Sequence, residues 1–180
     1  MSTLYFKRLR KEIQLYQKDN FMLPNLILKP TDNLGIWHAV IYDLKDTEYE
    51  GGVYLMKIMV PEKYPLSPPD FNFLTPSGRF DINRKLCTSF SGYHKDLYSA
   101  SWNISAMCCG LISFMTDNFD HSESKGIGGI SSTPEYKKQI AKESRNYIKN
   151  NKVIFDIFEK YFKEYYEILE FNEKLNNYTK

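Results

Sequence analysis

One cysteine, Cys87, follows the proline-studded run KYPLSPPDFNFLTPSGRF and precedes a polar loop that carries His94 and leads to Trp102. A thiol in an irregular, Gly- and Pro-rich segment is a candidate nucleophile. To act as one it needs a base, a lowered pKa, or a partner that delivers an acyl group already activated. The titratable neighbours in sequence are Arg84, Lys85, His94 and Asp96. They form no papain-type signature, no CxxC pair and no zinc-ligand set, which argues against a metal site. On residue types alone Cys87 stands open as either a nucleophile or a structural cysteine. Cys108 and Cys109 belong instead to an apolar run through Met107, Leu111, Ile112, Phe114 and Met115, where a cysteine reads as a small buried hydrophobe.

Composition narrows the partners. The chain has 180 residues, 42% hydrophobic and 16% aromatic, enough for one domain with a proper core and a short appended element. A net charge of +2 from 24 basic and 22 acidic residues gives no general case for binding nucleic acid. Three cysteines, two of them adjacent, do not make a disulfide framework. Lys7, Arg8, Arg10 and Lys11 break up any secretory apolar region at the start. No apolar stretch approaches the roughly 18 to 20 residues that span a bilayer. The expectation is a soluble protein of a reducing compartment, cytoplasmic or nuclear.

The elements that must position Cys87 follow from periodicity. Phe6, Leu9, Ile13 and Tyr16 make one face of a helix capped by Ser2 or Thr3 and ended by Asp19 and Asn20. The basic residues Lys7, Arg8, Arg10 and Lys11 fall largely away from that face, as a solvated surface or a docking one. Strand formers at 26–28, 36–42, 53–60 and 71–74, separated by turn residues, predict an antiparallel four-strand meander. Residues 53–60 are largely apolar on both faces, so helices should cover at least one. Residues 83–101 show no period. Asn103 or Ser105 then caps one helix, and Ser132 or Thr133 with Pro134 caps another over 136–149. Phe155, Phe158, Phe162, Tyr165 and Leu169 predict a final amphipathic helix from Lys152 to about Phe171, packed on the domain or presented to a partner.

In order, a helix, a meander with Tyr49-Glu50-Gly51-Gly52, the segment Val60 to Pro69, a loop ending Leu86-Cys87, and Trp102 ahead of a helix resemble the ubiquitin-conjugating enzymes from about Leu4 to Ile157. Thr75-Pro76-Ser77-Gly78-Arg79-Phe80, His94 and Leu111 to Met115 are similar to the J-type branch, associated with degradation at the endoplasmic reticulum. The resemblance implies an α+β fold with a conjugating domain at residues 1–157, followed at 158–180 by the rest of the final helix and a polar tail. J-type relatives usually end in a membrane anchor, whereas this sequence ends in the charged, aromatic helix to Phe171 and a polar tail, so the expectation is either work in the cytosol or recruitment by a partner through that helix.

The chemistry implied by the resemblance is acyl transfer. Ubiquitin, activated by a separate ATP-using enzyme, would pass to Cys87 as a thioester and then to a lysine, or a serine or threonine, of a protein substrate, usually with a RING-type ubiquitin ligase. No cofactor is expected on this chain. A motif asparagine credited in the family with loop order and oxyanion stabilisation aligns with Ser77, whose hydroxyl is shorter than a carboxamide. A catalytically weak or inactive ubiquitin-binding scaffold is therefore the alternative. His94 is a candidate general base or a structural loop histidine, and Asp117 falls where relatives carry a gate residue. Lys7, Arg8, Arg10 and Lys11 would face the activating enzyme and ligase. Leu66 occupies a ligase-contacting loop, while Tyr98, Ser99, Ala100 and Ser101 replace the more usual Trp and Pro of the second.

Overall fold

The structure, a computed structural model, describes residues 3–18, 23–86, 98–117 and 128–171. Helix α1 (Thr3–Lys18) leads into strands β1 (Leu26–Pro30), β2 (Ile36–Tyr42), β3 (Val53–Met59) and β4 (Asp70–Phe73). These form one sheet in the order β1-β2-β3-β4, every neighbouring pair antiparallel, with Val40 opposite Leu55 and Ile58 opposite Phe71. Helices α2 (Ile104–Thr116), α3 (Pro134–Asn150) and α4 (Lys152–Tyr161) follow, then a 3₁₀ turn at Lys163–Tyr165. The meander and the α+β class match the sequence expectation.

Alternation along β3 assigns two cores. Tyr54, Met56, Ile58 and Val60 pack with Tyr5 and Leu9 of α1 and with Ile104, Met107, Cys108 and Leu111 of α2. Val53 and Leu55 point the other way, with Ile27 and Val40, against Ile148 of α3 and Ile154 and Phe158 of α4. Both faces are covered, which is why β3 carries almost no polar residue.

The caps follow their side chains. Asn103 Oδ1 accepts from the Ala106 amide at 2.7 Å to open α2, and Thr133 Oγ1 accepts from Tyr136 at 3.2 Å to open α3, with Pro134 in the first turn. Asn151 ends α3 and its side chain opens α4.

Two expectations are corrected. On α1 the buried stripe is Tyr5, Leu9 and Glu12, while Phe6 stays exposed and Ile13 and Tyr16 are half-buried. The final helix stops at Tyr161 rather than near Phe171, and the chain folds back so that Phe158, Phe162, Leu169 and Phe171 share one core. The rings of Phe158 and Phe171 lie 5.4 Å apart, whereas thirteen residues of straight helix would separate them by about 20 Å. Packing of four apolar side chains overrides a helical pattern that no Gly or Pro interrupts. Residues 158–171 are thus part of the same packed unit as β1 to β3.

Among the described residues no helix is long and apolar enough to cross a membrane.

Candidate active site

The segment leading to Cys87 is built onto the free edge of β4. Asn83 N donates to Phe73 O at 2.7 Å and Leu86 N to Phe71 O at 3.0 Å, so residues 82–86 satisfy backbone groups that an edge strand would leave open. Lys85 pairs with Asp70 at 2.6 Å, and the Leu86 side chain is buried. Gly128 presses on this segment from outside. It has φ +85°, and a Cβ there would lie 2.9 Å from Leu86 Cδ2 and 3.0 Å from Lys85 O. Leu86, the residue before Cys87, is fixed from both sides. Cys87 itself and His94 lie outside the described residues.

Upstream, Thr75 to Phe80 make a turn that closes on its own side chains. Thr75 Oγ1 accepts from the Leu55 amide at 2.9 Å and extends the β3–β4 ladder by one bond where β4 ends. Ser77 is fully buried, and its Oγ accepts from the amides of Arg79 and Phe80, both at 3.2 Å. Gly78 has φ +73°, and a Cβ there would lie 3.0 Å from Ser132 Oγ, so only glycine suits both the dihedral and the space. The Ser132 hydroxyl donates to Gly78 O, tying the turn to the start of α3. Phe80 stacks on Phe73 at 4.9 Å, and residues 79–81 bond to 128–130 through Asp81 N to Gly128 O and Ile130 N to Arg79 O.

Arg79 was not singled out by sequence reasoning. It is 5% exposed, its guanidinium lies 4.6 Å from the centre of the Phe114 ring, and Nη2 has no hydrogen-bond partner among the described residues. Burial lowers its pKa below the usual arginine value, opposed by the neighbouring Tyr49 phenol and the Asp117 carboxylate. Asp117 is exposed at the C-terminal cap of α2. Ser77 and Arg79 thus share one turn, and Asp117 reaches it through charge.

The proposed partner residues lie on α1 and on two loops. Lys7, Arg10 and Lys11 are exposed on α1, and Leu66 is 73% exposed in the loop before β4, whose Tyr64–Pro65 bond is cis. Ala100 and Ser101 are exposed, and Trp102 beside them is 38% exposed. Tyr98 is half-buried and donates to Pro65 O at 3.0 Å, joining the two loops; burial raises its pKa to about 12. Arg8 differs from its basic neighbours: it turns inward to Glu12, Ala100 O and Trp102 O.

The other cysteines sit where the thiolate is disfavoured. Cys108 is fully buried and its thiol pKa is pushed well up by desolvation; Cys109 is half-buried and raised for the same reason. No group of three or more metal-ligating side chains is found among the described residues.

Residues 8–150 match the family model described as Ubiquitin-conjugating enzyme. The chain is 38% identical over 152 residues to "Ubiquitin-conjugating enzyme E2 J2-like" of Dictyostelium discoideum, covering 84% of this chain and 85% of that one. It is 38% identical to "Ubiquitin-conjugating enzyme E2 6" of Schizosaccharomyces pombe over 79% of this chain, and spans 60% of that relative's length. With "Ubiquitin-conjugating enzyme E2 J2" of Mus musculus it shares 30% identity over 95% of this chain and 64% of the relative.

Proposed function

Because the chain belongs to the ubiquitin-conjugating enzyme family, we propose that Cys87 accepts ubiquitin as a thioester and passes it to a lysine, or to a serine or threonine, of a protein substrate. The reading is carried by the family match across residues 8–150, which spans Cys87. The clamped Leu86, next to the thiol in sequence, and the closed Thr75–Phe80 turn upstream of it support the reading, because both fix backbone on the way to Cys87.

In the first step the Cys87 thiolate attacks the carbonyl carbon of ubiquitin's last residue on the activating enzyme. The new Sγ–C bond forms as the activating enzyme's S–C bond breaks and its thiolate leaves. In the second step the acceptor nitrogen or oxygen attacks the same carbon, the Cys87 Sγ–C bond breaks, and the acceptor proton goes to a base. His94 is the proposed base, and Asp117 the proposed carboxylate that receives an approaching ammonium. ATP is consumed by the activating enzyme, so this chain is assigned no cofactor. Lys7, Arg10, Lys11, Leu66, Ala100 and Ser101 are the proposed contacts for activating enzyme and ligase, and a RING-type ligase is the proposed source of acceleration.

One observation favours a second reading, a catalytically weak or inactive ubiquitin-binding scaffold of the same fold. The Ser77 oxygen already accepts from two backbone amides inside the turn, and the hydroxyl is fully buried. An oxyanion donor used in full is worth about 10² to 10³ in rate. Incubation with activating enzyme, ATP and ubiquitin tests both readings. The proposal expects a thiol-sensitive adduct that Cys87→Ala abolishes and Cys87→Ser converts to a thiol-resistant ester. An adduct that forms but is not shortened in lifetime by free lysine or by ligase supports the scaffold reading; no adduct sinks the enzymatic one.

A further inference from the structure

Glu12 is a carboxylate 5% exposed in the middle of α1, and three elements meet on it. Arg8 Nε donates to Oε1 at 2.8 Å from one turn earlier, the Tyr64 hydroxyl donates to the same oxygen from the loop before β4, and the Ile104 amide donates to Oε2 at 2.7 Å from the first turn of α2. The last contact sets a negative charge on a helix N-terminus, where the peptide dipoles favour it. Arg8 carries the network outward, with Nη1 donating to Ala100 O at 3.0 Å and Nη2 to Trp102 O at 2.6 Å. Its guanidinium carbon lies 5.5 Å from the centre of the Tyr64 ring. Tyr98 closes the circuit by donating to Pro65 O.

We propose that Glu12 is a positioning residue for the partner face: one buried charge holds the Leu66 loop and the Ala100–Trp102 loop at a fixed spacing across α1. The inference rests on the reading that this face receives the activating enzyme and the ligase. Exposed Leu66 and Trp102 sit on separate loops, so a protein partner that grips both needs their separation set before it arrives, or must order them on binding at a loss of affinity. Each loop has turn bonds of its own, Leu66 N to Lys63 O at 2.7 Å and Trp102 N to Ser99 O at 3.0 Å, but these shape each loop separately and do not set the spacing between them. The shared anchors are Glu12, Arg8 and the Tyr98–Pro65 bond.

The test compares amide hydrogen exchange in the full chain, wild type against Glu12→Gln, which keeps size and removes charge. Loss of the charge-assisted bonds is expected to speed exchange about tenfold or more in residues 61–69 and 98–104, with β2 and β3 amides within about twofold. Unchanged loops, or an equal rise across the sheet, overturn the proposal. Where Glu12→Gln does not fold, Tyr64→Phe removes a single spoke and is expected to speed residues 61–69 alone; no change there overturns it equally. A second arm measures ligase-stimulated discharge. The proposal expects the half-saturating ligase concentration to rise about tenfold at an unchanged maximal rate, and a fall in maximal rate at unchanged half-saturation contradicts it. If the wild type fails to charge at all, the function reading fails while the exchange arm still decides the role of Glu12.

Discussion

Serine and asparagine at position 77 differ in what is left over once the turn is closed. A serine oxygen that accepts from the Arg79 and Phe80 amides leaves one hydroxyl proton inside a buried site, whereas an asparagine Oδ1 in the same place would leave a whole NH₂ group further out. Ser77→Asn is therefore expected to speed single-turnover discharge from Cys87 to free lysine by about tenfold to 10³. An unchanged or slower rate removes Ser77 from the account of catalysis. Ser77→Ala leaves two buried amides without an acceptor and should destabilise the fold by about 1–3 kcal/mol in urea unfolding. Ser77 was legible in the sequence as a site residue through the family resemblance, though the turn it closes was not read there. Glu12 and Arg79 were not. The spacing Phe6, Leu9, Ile13, Tyr16 and the spacing Tyr5, Leu9, Glu12, Tyr16 are equally helical, and hydrophobicity favours the first. The second wins because a charge with three donors around it is stable in a core.

At the scale of elements, the segment after α4 shows what periodicity misses. Each residue from Lys152 to Phe171 suits a helix, but Leu169 and Phe171 bury more surface by turning back onto Phe158 and Phe162. The turn is held from α3: Arg145 Nε donates to Leu169 O at 2.8 Å, Nη1 donates to Gly51 O, and Nη2 lies 3.3 Å from the exposed Glu170 carboxylate. The exposed ion pair contributes little, while the carbonyl contacts do more because they tie three segments together. Arg145→Met is expected to destabilise by about 1–3 kcal/mol and to raise hydrogen exchange selectively in residues 166–171. Phe158→Ala, which opens the same core at its centre, should destabilise by about 3–5 kcal/mol. If Arg145→Met matches wild type in both measurements, the fold-back is held by packing alone. The strands and α1 to α3 were legible because caps, turns and alternation agree there; the fold-back rests on contacts between residues whose order no local pattern encodes.

For the whole molecule, a sheet covered on both faces carries a histidine inside. His38 on β2 is buried, opposite Lys29 on β1 and Lys57 on β3, with the Tyr161 ring of α4 5.4 Å away. Its Nδ1 has no hydrogen-bond partner among the described residues. Burial first, and the Lys57 charge second, hold its pKa at about 4 instead of the usual 6.5. The folded protein thus needs the neutral ring, and the unfolded chain takes the proton first as pH falls. The contribution is present above pH 6.5, is lost progressively as pH falls towards 4, and amounts to about 3 kcal/mol. His38→Gln should flatten this part of the stability profile between pH 7 and 4.5; a variant that follows the wild-type curve in parallel contradicts the assignment. The central claim is that this frame exists to present Cys87 to an activated acyl group. Intact-mass analysis of the full chain after incubation with activating enzyme, ATP and ubiquitin tests it most directly. The account predicts one added ubiquitin, released by thiol and mapped to Cys87. An adduct on Cys108 or Cys109, or an unmodified chain, would contradict it.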